Sequence, residues 1–358
     1  NVAGSDVHIW GGAVTGGAGV GERRFSQIGY NRREGSTATS LDVTGRVRVK
    51  ALNDIEVISN KYNVGLLGTG GWPGPNQSGF TSYAQIGHGG DRDGVADMKL
   101  TGDILVEAGH DLTGLGGNTR ENFVLIGHGG YDNATSTTAK LGGDIVVSVG
   151  NKLSLSGGQG SYSYAQIGHG GARHPVLDFV ASKITVDAGG DITLTGGPGG
   201  AGSSSNAAHA RIGHGGYEAQ VQAPGSGYDG DIHVSAVGKL SLLAGGGGAA
   251  FNDVQIGHGG FRSAGNHSGD ICVVAGTGAI ISAGTTSGSN GYAQIGHGGE
   301  LTPGDHSGDV TLVAPSGSIS LVGGTGTGRY AQVGHGGTNS GGNLSGNFIN
   351  DNGNIVIY

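Results

Sequence analysis

The tetrapeptide Gly-His-Gly-Gly occurs seven times in this chain, each time directly after isoleucine or valine. Successive copies are 38 to 45 residues apart, and a degenerate eighth copy, Gln27-Ile28-Gly29-Tyr30, precedes them. Self-similarity at a period of about 40 residues is the signature of stacked units, each of which covers the apolar face of its neighbour. The seven histidines of the motif are His88, His128, His169, His214, His258, His297 and His335.

Each unit contains three short runs in which apolar and polar residues alternate, which is the period of a β-strand. In one unit these runs are residues 184–188, 191–197 and 210–216. Three strands joined by corners close one coil of a solenoid, and parallel strands stack about 4.8 Å apart. We therefore predict an all-β fold, a right-handed parallel β-helix of about eight coils of ~40 residues, with three short strands per coil. Two shorter coils per repeat are the alternative.

The repeats continue from one end of the chain to the other, which predicts a single solenoid domain over residues 1–358. Its repeats end near residues 30, 90, 130, 171, 216, 260, 299 and 337. The chain opens with the pattern of a second strand and closes with that of a first strand, so we expect one incomplete coil to be shared between the two ends. The residues expected to meet there are Val7, Ile9, Trp10, Ile355, Ile357 and Tyr358.

Composition limits the classes of partner. The formal net charge is −8, and the lysines and arginines do not form a long run, so we expect no nucleic-acid partner. The single cysteine, Cys272, excludes an internal disulfide and a cysteine-based zinc site. No run approaches the roughly 20 apolar residues that span a membrane, so we expect no membrane insertion. The chain starts at Asn1 without a signal-like segment, which we interpret as a processed form or part of a larger protein.

The repeated histidines are the strongest candidate site. Residues two apart on a strand share a face, so His88 is expected to point inward with Ile86. Identical histidines on one line offer a metal ion at most two neighbours, and catalysis needs one asymmetric constellation. We therefore predict a structural, hydrogen-bonded histidine row with no catalytic residue, no metal and no cofactor. A row of metal sites and surface recognition are the alternatives.

Tyrosines and glutamines recur on the opposite face of the third strand, where we expect them to form rows on the outside of the solenoid. Such rows stabilise a stack or offer a flat surface to another molecule or a glycan. Aspartates that precede the first strand, such as Asp103 and Asp144, are expected to cap backbone amides at a corner. The tyrosine and glutamine rows comprise Tyr83, Gln85, Tyr164, Gln166, Tyr292, Gln294, Tyr330 and Gln332.

The segment Ile184-Thr-Val-Asp-Ala-Gly-Gly-Asp-Ile-Thr-Leu-Thr-Gly-Gly resembles the repeats of filamentous haemagglutinin-like exoproteins of two-partner secretion and related surface adhesins. The resemblance covers nearly the whole chain. It implies a secreted or cell-surface bacterial β-helix with a fibrous or adhesive role. The Ile-Gly-His-Gly-Gly motif and the repeat of about 40 residues depart from the shorter repeats of that family.

Two functions follow as expectations. The first is an extracellular structural protein that assembles head to tail into a filament, because uncapped solenoid ends recruit further strands. The alternative is a rod segment of a larger bacterial adhesin that binds host or glycan ligands through its loops. An enzyme acting on polysaccharides would need polar residues that converge once, whereas here they recur in every coil, so we expect no enzymatic activity.

Overall fold

The chain is a parallel β-solenoid. The computed structural model describes residues 2–11, 23–31, 40–59, 81–91, 97–131, 138–176, 178–198, 207–221, 227–246, 251–284, 290–338, 351–352 and 354–357. All regular structure in these ranges is β-strand, and all strand pairs are parallel. The predicted all-β fold, a parallel β-solenoid, is therefore confirmed. Tyr358, which was assigned to an assembly end, lies outside the described residues.

Three long sheets run along the solenoid, and each takes one strand from every coil. Sheet A contains β1 (Val2–Gly4), β5 (Val47–Ala51), β9 (Ile104–Ala108), β13 (Ile145–Val149), β18 (Ile184–Ala188), β23 (Ile232–Ala236), β27 (Ile271–Ala275), β31 (Val310–Val313) and β35 (Ile355–Ile357). Sheet B contains β2 (Val7–Trp10), β6 (Ile55–Ile58), β10 (Leu112–Leu115), β14 (Leu153–Ser156), β19 (Ile192–Thr195), β24 (Leu240–Leu243), β28 (Ala279–Ser282) and β32 (Ile319–Val322). Sheet C contains β3 (Arg23–Ile28), β7 (Thr81–Ile86), β11 (Val124–Ile126), β15 (Ala165–Ile167), β20 (Ala210–Ile212), β25 (Val254–Ile256), β29 (Ala293–Ile295) and β33 (Ala331–Val333).

The main core lies between these three sheets. Along β13, Ile145 and Val147 are fully buried, while the alternate residue Val146 is half-buried on the outer face. Ile145 pairs in register with Ile104 on one side and with Ile184 on the other. The same apolar side chains therefore stack along the axis as continuous columns, and burial of each is worth about 1.5 to 3 kcal/mol.

Short strands after the Gly-His-Gly-Gly motif add a fourth side that the sequence did not predict. They bury a satellite apolar cluster that includes Met98, Leu100 and Tyr228. These strands form three small parallel sheets: β4 (Ser40–Val43), β8 (Asp97–Thr101), β12 (Thr138–Gly142) and β17 (Asp178–Phe179); β16 (Pro175–Val176) and β21 (Gln220–Val221); and β22 (Gly227–Asp229), β26 (Asn266–Ser268), β30 (His306–Ser307) and β34 (Asp351–Asn352).

The prediction that the chain opens without a first strand is wrong. Strand β1 already lies in sheet A, where Val2 pairs with Val49. At the other end, Ile357 pairs with Leu312, which occupies the same position along its strand as Val49. The first and last strands of sheet A, β1 and β35, therefore both include the strand position that Val49 and Leu312 hold. Three residues, 2–4, were too short a run to show a strand period.

The motif glycines let successive coils approach each other at the turn after sheet C. Gly213 has φ of +153°, and a Cβ built on it would overlap the carbonyl oxygen of Gly257 in the next coil. The last glycine of the motif meets both backbone and a side chain, since a Cβ on Gly171 would overlap the carbonyl oxygen of Gly130 and the Tyr164 hydroxyl. A residue with a side chain cannot occupy either position without moving backbone or a packed ring.

We predict that Gly213→Ala destabilises the solenoid by at least about 3 kcal/mol, because the methyl group would force two coils apart in the centre of the stack. Equilibrium urea unfolding followed by circular dichroism measures the effect. Gly323→Ala is the matched control, since a Cβ at Gly323 meets no atom within 4 Å. Equal unfolding midpoints for the two variants would show that the turn does not constrain the stack.

Candidate functional site

The structure places all seven motif histidines in one stacked row beside sheet C. Neighbouring imidazole rings are nearly parallel, with centroids 4.7 to 5.0 Å apart. The six rings from His88 to His297 are buried, and His335 in the last coil is half-buried. Tyr30 holds the equivalent position in the first coil, and its ring lies 5.6 Å from that of His88.

Each imidazole makes two hydrogen bonds in different directions. Nδ1 of His128 accepts the backbone N–H of His88 in the preceding coil at 3.0 Å. The Nε2 atom of His128 lies 2.8 Å from the carbonyl oxygen of Gly102, at the corner that leads into β9 of the same coil. Because Nδ1 accepts, the proton of the neutral ring must be on Nε2, which donates to that carbonyl. The ring thus links two successive coils through Nδ1 and links the end of its own coil to its beginning through Nε2.

Burial keeps these rings neutral. Desolvation lowers the pKa of His169 and of His258 from 6.5 to about 4. It also lowers the pKa of His214 well below its ordinary value, and the neighbouring rings His258 and His169 add to the shift. Protonation of Nδ1 would remove the acceptor of the inter-coil hydrogen bond and place a charge in the interior.

Most glutamines of the predicted outer rows are buried, and like the histidines they join successive coils through side-chain hydrogen bonds. The side-chain amide of Gln85 donates to the carbonyls of Gly127 and Gly129 in the next coil at 3.0 and 3.2 Å. Gln166, Gln255 and Gln294 repeat this pattern at 2.6 to 3.0 Å. The prediction that these residues form an outer surface is therefore wrong for Gln85, Gln166 and Gln294, which are fully buried, while Gln332 in the last coil is half-buried.

The aromatic residues of the same strands form a second buried row. The Tyr83 ring stacks on Phe25 and on Phe123, in each case at 4.9 Å, and Phe123 stacks on Tyr164 at 5.0 Å. Tyr292 stacks on Tyr330 at 5.0 Å. The predicted exposure is wrong for these tyrosines too: Tyr83, Tyr164 and Tyr292 are buried and Tyr330 is half-buried, because the segments after the motif cover this face of sheet C.

Two neighbouring coils each depart from one of the two rows. Arg211 occupies a glutamine position and Asp253 occupies an aromatic position, and their side chains form a fully buried ion pair at 3.0 Å. The Arg211 guanidinium also donates to the Gly259 carbonyl, which is the bond that glutamine makes in other coils. Burial raises the pKa of Asp253, and the charge and hydrogen bond of Arg211 oppose that shift. The two replacements compensate each other.

The corner aspartates cap backbone amides of the following coil. Asp103 accepts from the N–H of Asp144, and Asp144 accepts from the N–H of Lys183 at 2.9 Å. Asp231, Asp270 and Asp309 act likewise toward the amides of Asp270, Asp309 and Asn354.

A second series of corner aspartates precedes sheet B, and the sequence analysis did not single it out. There Asp54 accepts the N–H of Asp111 at 2.9 Å. Ligand atoms of Asp54, His110 and Asp111 lie within 4.8 Å of one another, a spacing at which they could hold a metal ion. Because the Asp54 oxygen already bonds the amide of Asp111 and lies 3.0 Å from the His110 ring, we interpret the group as part of this corner series.

Comparison with family models, curated proteins and solved structures finds no match for this chain. In the described ranges, no helix is long and apolar enough to cross a membrane.

We predict that the solenoid loses stability as the pH falls from about 6.5 to about 4. The unfolded chain binds protons on these histidines near pH 6.5, whereas the folded chain does so only near pH 4. Each such ring therefore costs about 1.4 kcal/mol per pH unit across this window. Glu300 has the opposite effect on the pH dependence of stability, since burial raises its pKa to about 7. It is a single group, whereas the histidine row contains several, so the histidines determine the sign of the slope. Urea unfolding at a series of pH values measures the slope.

His258→Gln and His233→Gln form a matched pair for this experiment. His258 lies in the row, and its replacement removes one titrating group and so lowers the slope. His233 is on the outer face of sheet A with a half-exposed side chain, so its replacement controls for the loss of a histidine outside the row. A wild-type unfolding free energy that stays constant between pH 7 and about pH 4 contradicts the prediction.

We predict that Arg211→Gln alone costs about 3 to 5 kcal/mol, because it leaves Asp253 buried without its partner. The double variant Arg211→Gln/Asp253→Tyr restores the side chains of the other coils and should recover most of that loss. A double-mutant cycle on the free energy of unfolding measures the coupling. Additive effects of the two substitutions would show that the pair does not act as a unit.

Proposed function

We propose that this protein is a structural component that assembles head to tail into a filament through the ends of its solenoid. The observation that carries the proposal is the exposure of apolar side chains on the end strands. Ile355 and Ile357 in β35 are 53% and 49% exposed, whereas their partners Val310 and Leu312 are fully buried. In sheet B, Leu321 is 46% exposed and its partner Ile281 is fully buried.

The edges of the end strands match the edges that pair inside the solenoid. Parallel strands present unpaired N–H and C=O groups to any further strand, and exposed flat edges recruit one. At the first edge Val2 is 37% exposed, whereas its partner Val49 in the next coil is fully buried. Addition of another coil would bury Val2 and pair the backbone at the same time. A contact of this kind is heterologous and propagates without closing.

An extracellular location accompanies this proposal. It rests on the resemblance to secreted bacterial repeat proteins. The same edges accept a further coil of a longer chain equally well, which would make this solenoid a rod segment of an adhesin. The two functions differ in whether separate copies join.

We predict that the purified protein forms unbranched filaments at neutral pH, with an axial repeat of roughly 40 Å from eight stacked coils. Electron microscopy over a concentration series measures this. Ile357→Lys/Leu321→Lys places charges on the end strands and should leave single rods. Val237→Lys is the control, because Val237 is 66% exposed at a turn in the middle of the solenoid. Single rods from the wild-type chain at every concentration would contradict the filament proposal and favour the adhesin segment.

A further inference from the structure

We propose that two copies of this chain meet through sheet C in one defined register, with the Tyr330 ring of one copy stacked on the Phe25 ring of the next. In this register the Gln332 amide caps the carbonyls of Gly29 and Asn31. The inference rests on the proposed filament and adds the contact that sets its register. It uses the two rows that join coils inside the solenoid and that remain open at its ends.

The aromatic row is open at both ends of sheet C. Phe25 stacks on Tyr83 through one face and is 49% exposed. Tyr330 stacks on Tyr292 through one face, and in the described residues no ring follows it beyond β33. An offset or parallel aromatic pair contributes about 0.5 to 1.5 kcal/mol beyond the area that it buries. Placing Tyr330 over Phe25 at the usual coil spacing continues the row from one copy into the next.

The glutamine row has a donor at one end and acceptors at the other. Gln294 donates to Gly334 and Gly336 in the next coil at 2.8 and 2.6 Å. Gln332 occupies the same position one coil later, and its amide donates to its own His335 carbonyl at 2.7 Å.

Gly29 and Asn31 supply the matching acceptors, since they follow β3 at the positions that Gly127 and Gly129 hold after β11. A charge-neutral hydrogen bond of this type contributes about 0.5 to 1.5 kcal/mol.

The alternation of faces fixes the register. Ala331 and Val333 pack against the main core, and Ile28 does so at the first edge. In the proposed register Val333 pairs with Ile28, as Ile295 pairs with Val333 inside the solenoid. A slip of one residue would turn Gln332 toward the core and an apolar residue away from it. Registers shifted by an odd number of residues are therefore excluded.

The histidine row does not continue across this junction, because Tyr30 offers no Nδ1 to the backbone N–H of His335. Inside the solenoid the same N–H of His297 donates to His335 at 3.1 Å. In sheet A, β35 of one copy and β1 of the next then lie in the same layer, where Ile357 and Val2 hold the same position and one of them must leave its pair. The junction therefore has at least one hydrogen bond fewer than any internal step between two motif histidines. The filament should separate into rods before the rods unfold.

The test uses two full-length variants in a Cys272→Ser background, Phe25→Cys and Tyr330→Cys. When the two proteins are mixed at neutral pH and mildly oxidised, we expect a disulfide-linked dimer, because in-register parallel strands bring the two Cα atoms to about 4.8 Å. Denaturing electrophoresis without reductant measures the product. Each variant alone should stay monomeric. The register control is a mixture of Phe25→Cys with Gln332→Cys, whose Cα atoms would lie about 8 Å apart and form no disulfide.

Electron microscopy of the same mixtures separates this inference from the filament proposal. Filaments together with the 25–330 disulfide support both. Filaments without that disulfide, or with the 25–332 disulfide in its place, overturn the register and leave the filament standing. If the mixture of Phe25→Cys and Tyr330→Cys forms no filaments and no disulfide, both are wrong.

Discussion

The close approach of successive coils at the Gly-His-Gly-Gly turn is the constraint on which the rest of the solenoid depends. Gly213 lies so near the Gly257 carbonyl that a side chain there would overlap it. Such an approach leaves the backbone N–H of the histidine facing the next coil, where the imidazole Nδ1 accepts it. The turn therefore joins successive coils, because its backbone lies against the backbone of the next turn. The Nε2 hydrogen bond of the same histidine links the end of a coil to its beginning. Because the turns pair in a fixed register, the strands that lead into them pair in that register too.

A structure built from stacked rows tolerates substitution only where the neighbours in the row adapt. Leu125 replaces glutamine on β11 and remains fully buried in the aromatic cluster. Arg211 replaces glutamine with a charge, and the next coil carries Asp253 to neutralise it. A buried ion pair is a costly substitute for an amide and a ring, since two charges lose their hydration. The stack accepts it because the guanidinium still caps the Gly259 carbonyl.

The sequence predicts those parts of the fold that repeat with a fixed period. Alternation along β13 is enough to assign its inner and outer faces. The recurrence of the motif is enough to predict that its histidines stack in one row. The burial of Tyr83 and Gln85 could not be predicted, because the cover over them comes from segments of variable length. Strand β30 has two residues, His306 and Ser307, which is too few to show any period. The repeat therefore predicts which side chains form a row, but whether that row is buried depends on the irregular segments that cover it.

The hydrogen bonds between coils give the solenoid a chemical direction. Between Gln27 and Gln294, the glutamine amides of the row donate toward the following coil, and the motif histidines accept from the preceding one. Gln332 therefore presents a donor at one end, while Gly29 and Asn31 present carbonyls at the other. If two identical ends met, the glutamine amide of one copy would face the glutamine amide of the other, and the strands would be antiparallel. Neither the glutamine row nor the aromatic row would then continue across the junction. Any assembly that extends the internal bonding must therefore run head to tail, and the polarity follows from the position of the amide within each coil.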